Sequence, residues 1–209
     1  MVSDAQFHFF KSLEDEFDQI PRSRKKELEK LSQIITDTLL GEGLCDIIVI
    51  CTHNSRRSQL GELLLRTAAE HYGIEGINVY SGGTESTAFN YRMLEALNRA
   101  EFEFEKSGIE VNPIYQLRIP DGGLGQKLFS KKYDDPFNPQ KDFIAIVVCN
   151  HADQNCPIVF GAKHRISLPY TDPKKYDGTN KQEEAYDEKV LEMGREMVYL
   201  SKGAICNTH

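Results

Sequence analysis

The chain has 209 residues, 40% of them hydrophobic, and 32 acidic against 25 basic side chains give it a formal net charge of -7. That supplies one sizeable α/β core with an appended element, and the acidic balance, with no basic face along the chain, excludes a general nucleic-acid binder. No run approaches the ~18 apolar residues of a membrane span, the start Met1-Val-Ser-Asp-Ala-Gln lacks the layout of a signal peptide, and an odd number of cysteines fits catalytic or redox thiols better than a disulfide framework, so a cytoplasmic protein without a membrane partner is expected.

Residues 1–43 read as a charged, amphipathic helical extension broken at Pro21. Phe7, Phe10, Leu13 and Phe17 lie on one helix, and Leu28, Leu31, Ile34, Ile35 and Thr38 on the next. Ser23 is the expected N-cap of the second helix, with Gly41 and Gly43 stopping it. The extension is expected to precede the core and to pack on the flank of a catalytic domain spanning 44–209. Cys45 reads as a small buried residue.

Ile47 to Ile50 are four β-branched residues in a row and read as a buried strand. Small polar residues follow, and Leu60, Leu63, Leu64 and Ala68 then recur at helical spacing as far as Tyr72. A loop between a strand and a helix N-terminus gathers backbone N–H groups and the positive end of the helix dipole at one place, which suits a tetrahedral oxyanion. Cys51 stands at the strand's carboxyl end inside that place, and the helix N-terminus, Arg57 and the Ser58 hydroxyl all favour its acting as a thiolate nucleophile. The planar fork of Arg57 can hold two oxygens, while the loop residues Thr52, His53, Asn54, Ser55 and Arg56 cradle the remaining charge. The competing reading is a free cysteine beside a solvated Arg-Arg pair.

Gly76 to Gly83 reads as a second strand ending in a glycine turn, with Ser81 at its carboxyl end. Asn90 to Lys106 reads as a helix, and Gly108-Ile-Glu-Val-Asn-Pro113 as the start of a third strand. Strands alternating with helices indicate a mainly parallel sheet with right-handed crossovers, whose sites lie beyond the carboxyl ends of the strands. Pro120-Asp-Gly-Gly123 predicts a hairpin turn between 116–119 and 126–130, and Asp134 to Pro139 a loop. Lys127, Lys131, Lys132 and Lys141 read as a solvated basic edge.

Phe143 to Cys149 is the fourth strand and brings a second cysteine to a strand's carboxyl end; Cys156-Pro157 follows. A continuous helix between these cysteines would separate them by about 10 Å of rise, too far for a disulfide needing roughly 4.4–6.8 Å between Cα atoms. Bridging them requires the segment to loop out, and two unrelated buried thiols is the alternative. His164 to Pro169 reads as a last short strand. Asp172 before Pro173 is held extended, where a carboxyl over a bound dianion can serve as general acid; an ordinary turn residue is the plain alternative. Asn180 to Ser201 is the closing helix, and Cys206 lies in the tail.

Cys51-Thr-His-Asn-Ser-Arg-Arg-Ser58 resembles the active-site loop shared by low-molecular-weight protein tyrosine phosphatases and thioredoxin-coupled arsenate reductases, with His53 where the family usually carries Gly. Cys149-Asn-His-Ala-Asp-Gln-Asn-Cys156-Pro157 resembles the resolving-cysteine segment of the reductases, and Asp172-Pro173 the general-acid loop of both. The resemblance implies an α/β three-layer sandwich with a four-stranded parallel sheet. It implies arsenate reduction by a relay in which Cys51 attacks arsenic, Asp172 protonates the departing oxygen, Cys149 then Cys156 resolve, and thioredoxin recycles the disulfide. It also implies, in some members, a potassium ion beside residues matching Asn54, Glu62 and Ser81, with no tightly bound cofactor. The rival enzyme is a phosphatase hydrolysing phosphotyrosine or a small phosphoester through a phosphocysteine, indifferent to Cys149 and Cys156. A non-enzymatic oxyanion sensor would keep its function after Cys51→Ser.

Overall fold

The computed structural model describes residues 2–120, 122–150, 152 and 158–206, with the side chains of Gln126 and Cys206 outside the description. Strand β1, Cys45–Cys51, is buried along nearly its whole length, as a central parallel strand must be when both of its faces are covered. It pairs in parallel with β2, Ile77–Gly83, on one side and with Phe143–Val147 on the other, and the latter pairs in parallel with Ala162–Ser167. Ile47, Val49 and Cys51 point into the larger core, and Ile48 and Ile50 into a smaller one with Phe143, Ala145 and Val159. The α/β fold with a four-stranded parallel sheet is the one the sequence predicts.

Helices α1, Asp4–Glu14, and α2, Arg22–Glu42, come first in the chain. They contribute Phe10, Leu13, Leu28, Leu31 and Ile35 to the larger core, so the N-terminal helices share one interior with the sheet. Pro21, not Ser23, stands at the cap of α2: a proline's fixed φ suits a helix start, and Ser23 falls inside the first turn. Gly41 is within the helix, while Gly43 adopts φ 73° and returns its N–H to the Leu39 carbonyl at 2.9 Å, the left-handed stop a glycine permits. Helix α3, Arg57–His71, follows the anion loop, and α4, Tyr91–Arg99, follows β2. A long helix, α5, Gln182–Cys206, closes the chain and packs on α2, α3, α1 and α4.

The expected third strand at 108–113 is not there. The chain instead forms an antiparallel three-stranded sheet of β3, Phe104–Ser107, β4, Ile114–Arg118, and β5, Leu124–Leu128. Residues 108–113 are the turn between β3 and β4, where Gly108 takes φ 84° and Ile109 and Val111 are 66% and 78% exposed. Two alternating apolar residues cannot specify a strand when neither face is covered. The predicted hairpin across 120–123 is present. Phe143–Val147 and Ala162–Ser167, the remaining strands of the parallel sheet, are β6 and β7 in chain order.

Candidate functional site

The loop from Cys51 to Arg56 is turned inside out by its neighbours. The Cys51 carbonyl accepts from Thr84 N at 3.2 Å, Thr52 O from Glu85 N at 2.8 Å, His53 O from the Thr87 and Ser130 hydroxyls at 3.1 Å each, Asn54 O from Gln59 Nε2 at 3.2 Å, and Ser55 O from Asn90 N at 2.8 Å. In a planar trans peptide the next N–H points opposite to the carbonyl, so carbonyls drawn outward turn the amides toward the inside of the loop. Helix α3 starts there and adds the positive end of its dipole. Gly83 makes the approach of β2 possible: a Cβ on it would lie 2.7 Å from Thr52 O and 2.8 Å from Asn54 N.

Cys51 is 4% exposed, with Sγ 3.0 Å from the Ser58 hydroxyl. Asn54 is fully buried at φ 45°, and its amide nitrogen donates to the Ser58 and Ser81 hydroxyls at 2.8 Å each, while its Oδ1 accepts from Lys131 N at 2.8 Å. His53, which stands in for the family's glycine, has negative φ and sends a half-exposed side chain toward Glu85, 3.5 Å away, so it leaves the inner face of the loop untouched. Arg56 turns away: its guanidinium holds the Tyr186 hydroxyl at 2.8 Å and Asp177 at 3.3 Å, so of the predicted oxyanion ligands it can offer only its backbone. Burial, with the Asp177 carboxylate beside it, pushes the Tyr186 phenol up to about 12.

Arg57 donates to the Tyr170 carbonyl at 2.8 Å and to Asp172 Oδ2 at 2.6 Å, and its Nε is buried with no hydrogen-bond partner among the described residues. The predicted acid and the predicted anion clamp are thus in direct contact across the loop's mouth. An entering oxyanion has to displace the carboxylate from the guanidinium, which leaves Asp172 over the anion. The loop bearing Asp172 is braced from beneath: Tyr170, 5% exposed, donates its hydroxyl to Glu196 Oε2 at 2.5 Å, and Arg24 holds Glu196 at 2.9 and 3.1 Å, Pro169 O at 3.2 Å, and stacks 4.6 Å from the Tyr170 ring.

Cys149, 1% exposed, lies two residues past β6, and its Sγ is 3.5 Å from the Thr52 hydroxyl. The β1–β6 register pairs Ile50 with Val147, which carries Thr52 alongside Cys149. The structure therefore brings Cys51, Thr52, Ser58, Arg57, Asp172 and Cys149 to one place. Cys156 lies outside the described residues.

Several contributors carry no local signal in the chain. Ser130 and Lys131 hold the loop from a segment 77 residues away. Lys131, expected on a solvated edge, is 2% exposed, whereas Lys127, Lys132 and Lys141 are exposed as expected. Arg24, Tyr170 and Glu196 are joined only by the fold. The hint that was available is the run of aromatics, Phe129 and Phe137, around Lys131.

A cysteine in a loop of inward-turned amides between a parallel strand and a helix, with an Asp-Pro loop across it, is an arrangement suited to holding a tetrahedral oxyanion beside a thiol. The profile of the low molecular weight phosphotyrosine protein phosphatase family matches residues 46–115. Among curated relatives, an arsenate reductase of Halalkalibacterium halodurans is 26% identical over 69% of this chain and 85% of its own length. An arsenate reductase of Staphylococcus aureus is 29% identical over 54% of this chain and 66% of its own. A low molecular weight phosphotyrosine phosphatase of Vibrio cholerae superposes with a TM-score of 0.50 at 15% identity, over 76% of this chain and 95% of that one, a likeness of fold. Residues 46–115 are thus similar in sequence to the low molecular weight phosphotyrosine protein phosphatase family, and the chain shares its fold. Among the described residues no helix is long and apolar enough to cross a membrane.

Proposed function

We propose that this chain is an arsenate reductase built on the phosphatase fold, using Cys51, Cys149 and Cys156 as a thiol relay recycled by thioredoxin. The observation that carries this reading is the buried Cys149 thiol against the wall of the anion loop, 3.5 Å from the Thr52 hydroxyl. A phosphatase needs no second thiol there. Arsenate binds to the loop amides and Arg57; the Cys51 thiolate attacks arsenic, and Asp172 gives its proton to the departing oxygen, which leaves as water. The Cys149 thiolate then attacks Cys51 Sγ, the sulfur–arsenic electron pair passes to arsenic, arsenite leaves, and a Cys51–Cys149 disulfide forms. Cys156 attacks Cys149, frees Cys51, and the resulting disulfide is reduced by the thioredoxin dithiol. This assignment agrees with the names of the curated relatives.

The second reading, a phosphatase, rests on the same Arg57 and Asp172 geometry and ends with hydrolysis of a phosphocysteine. Arsenate-dependent NADPH oxidation with thioredoxin and thioredoxin reductase separates the two. Turnover is expected in wild type, with losses of a hundredfold or more in Cys149→Ser and Cys156→Ser, while any aryl phosphate hydrolysis survives both changes. Fast phosphate ester hydrolysis without arsenate turnover would overturn the relay. Asp172→Asn should slow either chemistry by about 10²–10⁴-fold, the usual contribution of a general acid.

A further inference from the structure

Beneath the anion loop lie two buried charges that take no part in the chemistry above. Glu62, in the second turn of α3, is fully buried and hydrogen-bonded to the Ser81 hydroxyl. Lys131, just past β5, is 2% exposed, and its ammonium makes no hydrogen bond among the described residues; it lies 4.6 Å from the ring centre of Phe129 and 5.3 Å from that of Phe137. Aromatic faces hold a desolvated cation by their quadrupoles, and a buried carboxylate needs a countercharge. Burial pushes the Glu62 carboxyl up and the Lys131 ammonium down, and the attraction between the two opposes both shifts.

The residues matched to a potassium site do not fit one here. A potassium ion needs several oxygens turned toward it. Asn54 Oδ1 instead accepts from Lys131 N at 2.8 Å and Gln59 Nε2 at 3.4 Å, Ser81 Oγ accepts from the Asn54 amide at 2.8 Å, and the Ser81 hydroxyl bonds Glu62. The nearby positive charge is already covalently present in Lys131.

We propose that Lys131 is the resident cation of the anion loop: its ammonium balances Glu62 while its main-chain N–H fixes Asn54, so that the loop binds its oxyanion without a monovalent metal ion. Lys131 is a positioning residue, acting through Glu62 and Asn54. The proposal rests on the loop being an oxyanion site, and not on whether that site reduces arsenate or hydrolyses phosphoesters.

The test is calorimetric titration of the full chain with inorganic orthophosphate in potassium, sodium or tetramethylammonium chloride at equal ionic strength. Wild type is expected to bind with the same affinity, within twofold, in all three; binding tenfold tighter in potassium overturns the proposal. No binding in any salt removes the anion site itself, and the proposal with it. Lys131→Met is expected to bind at least tenfold more weakly in all three salts, and Lys131→Met with Glu62→Gln to regain most of that loss because the stranded carboxylate is gone, a response that a merely structural loss does not give. Unchanged affinity in the single variant, or no recovery in the double variant, overturns it. Lys131→Met combined with Glu62→Gln removes both charges, which guards against a single variant that fails to fold; it is expected to bind orthophosphate with no cation preference, and a potassium preference there overturns the assignment.

Discussion

Asn54 holds a left-handed backbone and uses both ends of its amide, joining Ser58, Ser81 and the Lys131 main chain. Asparagine tolerates that conformation better than most residues. Asn54→Ala removes three short hydrogen bonds inside the core, worth about 1 kcal/mol each, together with a longer one from Gln59, and puts a residue without asparagine's tolerance of the left-handed region at φ 45°, at about 1 kcal/mol more. The expected result is a fall in Tm of roughly 8–16 °C. Asn54→Gly restores the backbone freedom but not the bonds. If the hydrogen bonds dominate, its anion affinity should be as poor as that of the alanine variant, and recovery in the glycine variant would show that φ alone matters. The residue was legible as a loop member because it falls within the Cys51 to Ser58 motif. Its partners Ser81 and Lys131 carry no local pattern that ties them to it, so that half of its environment was not.

Among the elements, α2 reaches farther than a flanking helix would. Arg24 near its start pairs with Glu196 of α5, and both residues are nearly closed off, at 13% and 7% side-chain exposure. The pair carries Tyr170 and so the carbonyl that Arg57 holds. Arg24→Met leaves Glu196 buried without its countercharge, a loss of about 3–5 kcal/mol, and Arg24→Met with Glu196→Leu should regain much of it. Thermal melts check both. The double variant, stable but with an unbraced acid loop, should still turn over more slowly than wild type.

His71, at the end of α3, sits among Phe7, Phe10 and Tyr72 with ring centres 4.9, 5.7 and 4.9 Å away. Burial among these rings holds its pKa below the ordinary 6.5. A group with a depressed pKa contributes stability that is intact above its unfolded value and is lost as pH falls through its folded value, so the loss from His71 begins below pH 6.5. Tm measured between pH 7.5 and 5 should fall less steeply in His71→Gln than in wild type. The sequence showed both N-terminal helices through their apolar spacing. It could not show what they brace, because Arg24 and Glu196 are 172 residues apart.

For the whole molecule, the division at residue 43 visible in the composition is not a division of the interior. Phe10, Leu13, Leu28, Leu31 and Ile35 are all at most 1% exposed and lie in the core that also holds Cys51. Burying each is worth about 1.5–3 kcal/mol, a sum comparable with the ~5–15 kcal/mol that stabilises a typical domain. A chain of residues 44–209 alone is therefore expected to lose cooperative unfolding and to bind a hydrophobic dye; a sharp melt from that fragment would show that the helices are dispensable. The parallel sheet was legible because β1 and β6 are nearly continuous apolar runs and β2 ends in a glycine turn. The antiparallel sheet was only half legible, since its hairpin turn has strong chemistry while its first strand, Phe104–Ser107, alternates too briefly to declare itself.

The anion loop is fastened by residues distant in the chain. Asn54 meets Lys131 and His53 meets Ser130 at separations of 77, and Arg57 meets Asp172 at 115. Contacts of such high sequence separation cannot close until the intervening chain has ordered, because the entropy of loop closure is spent before they reward it. The strand, loop and helix that look self-contained on paper thus form no site by themselves during folding or synthesis. A nascent chain therefore exposes Cys51 before the loop around it is held, and the fastened loop is among the last features it acquires.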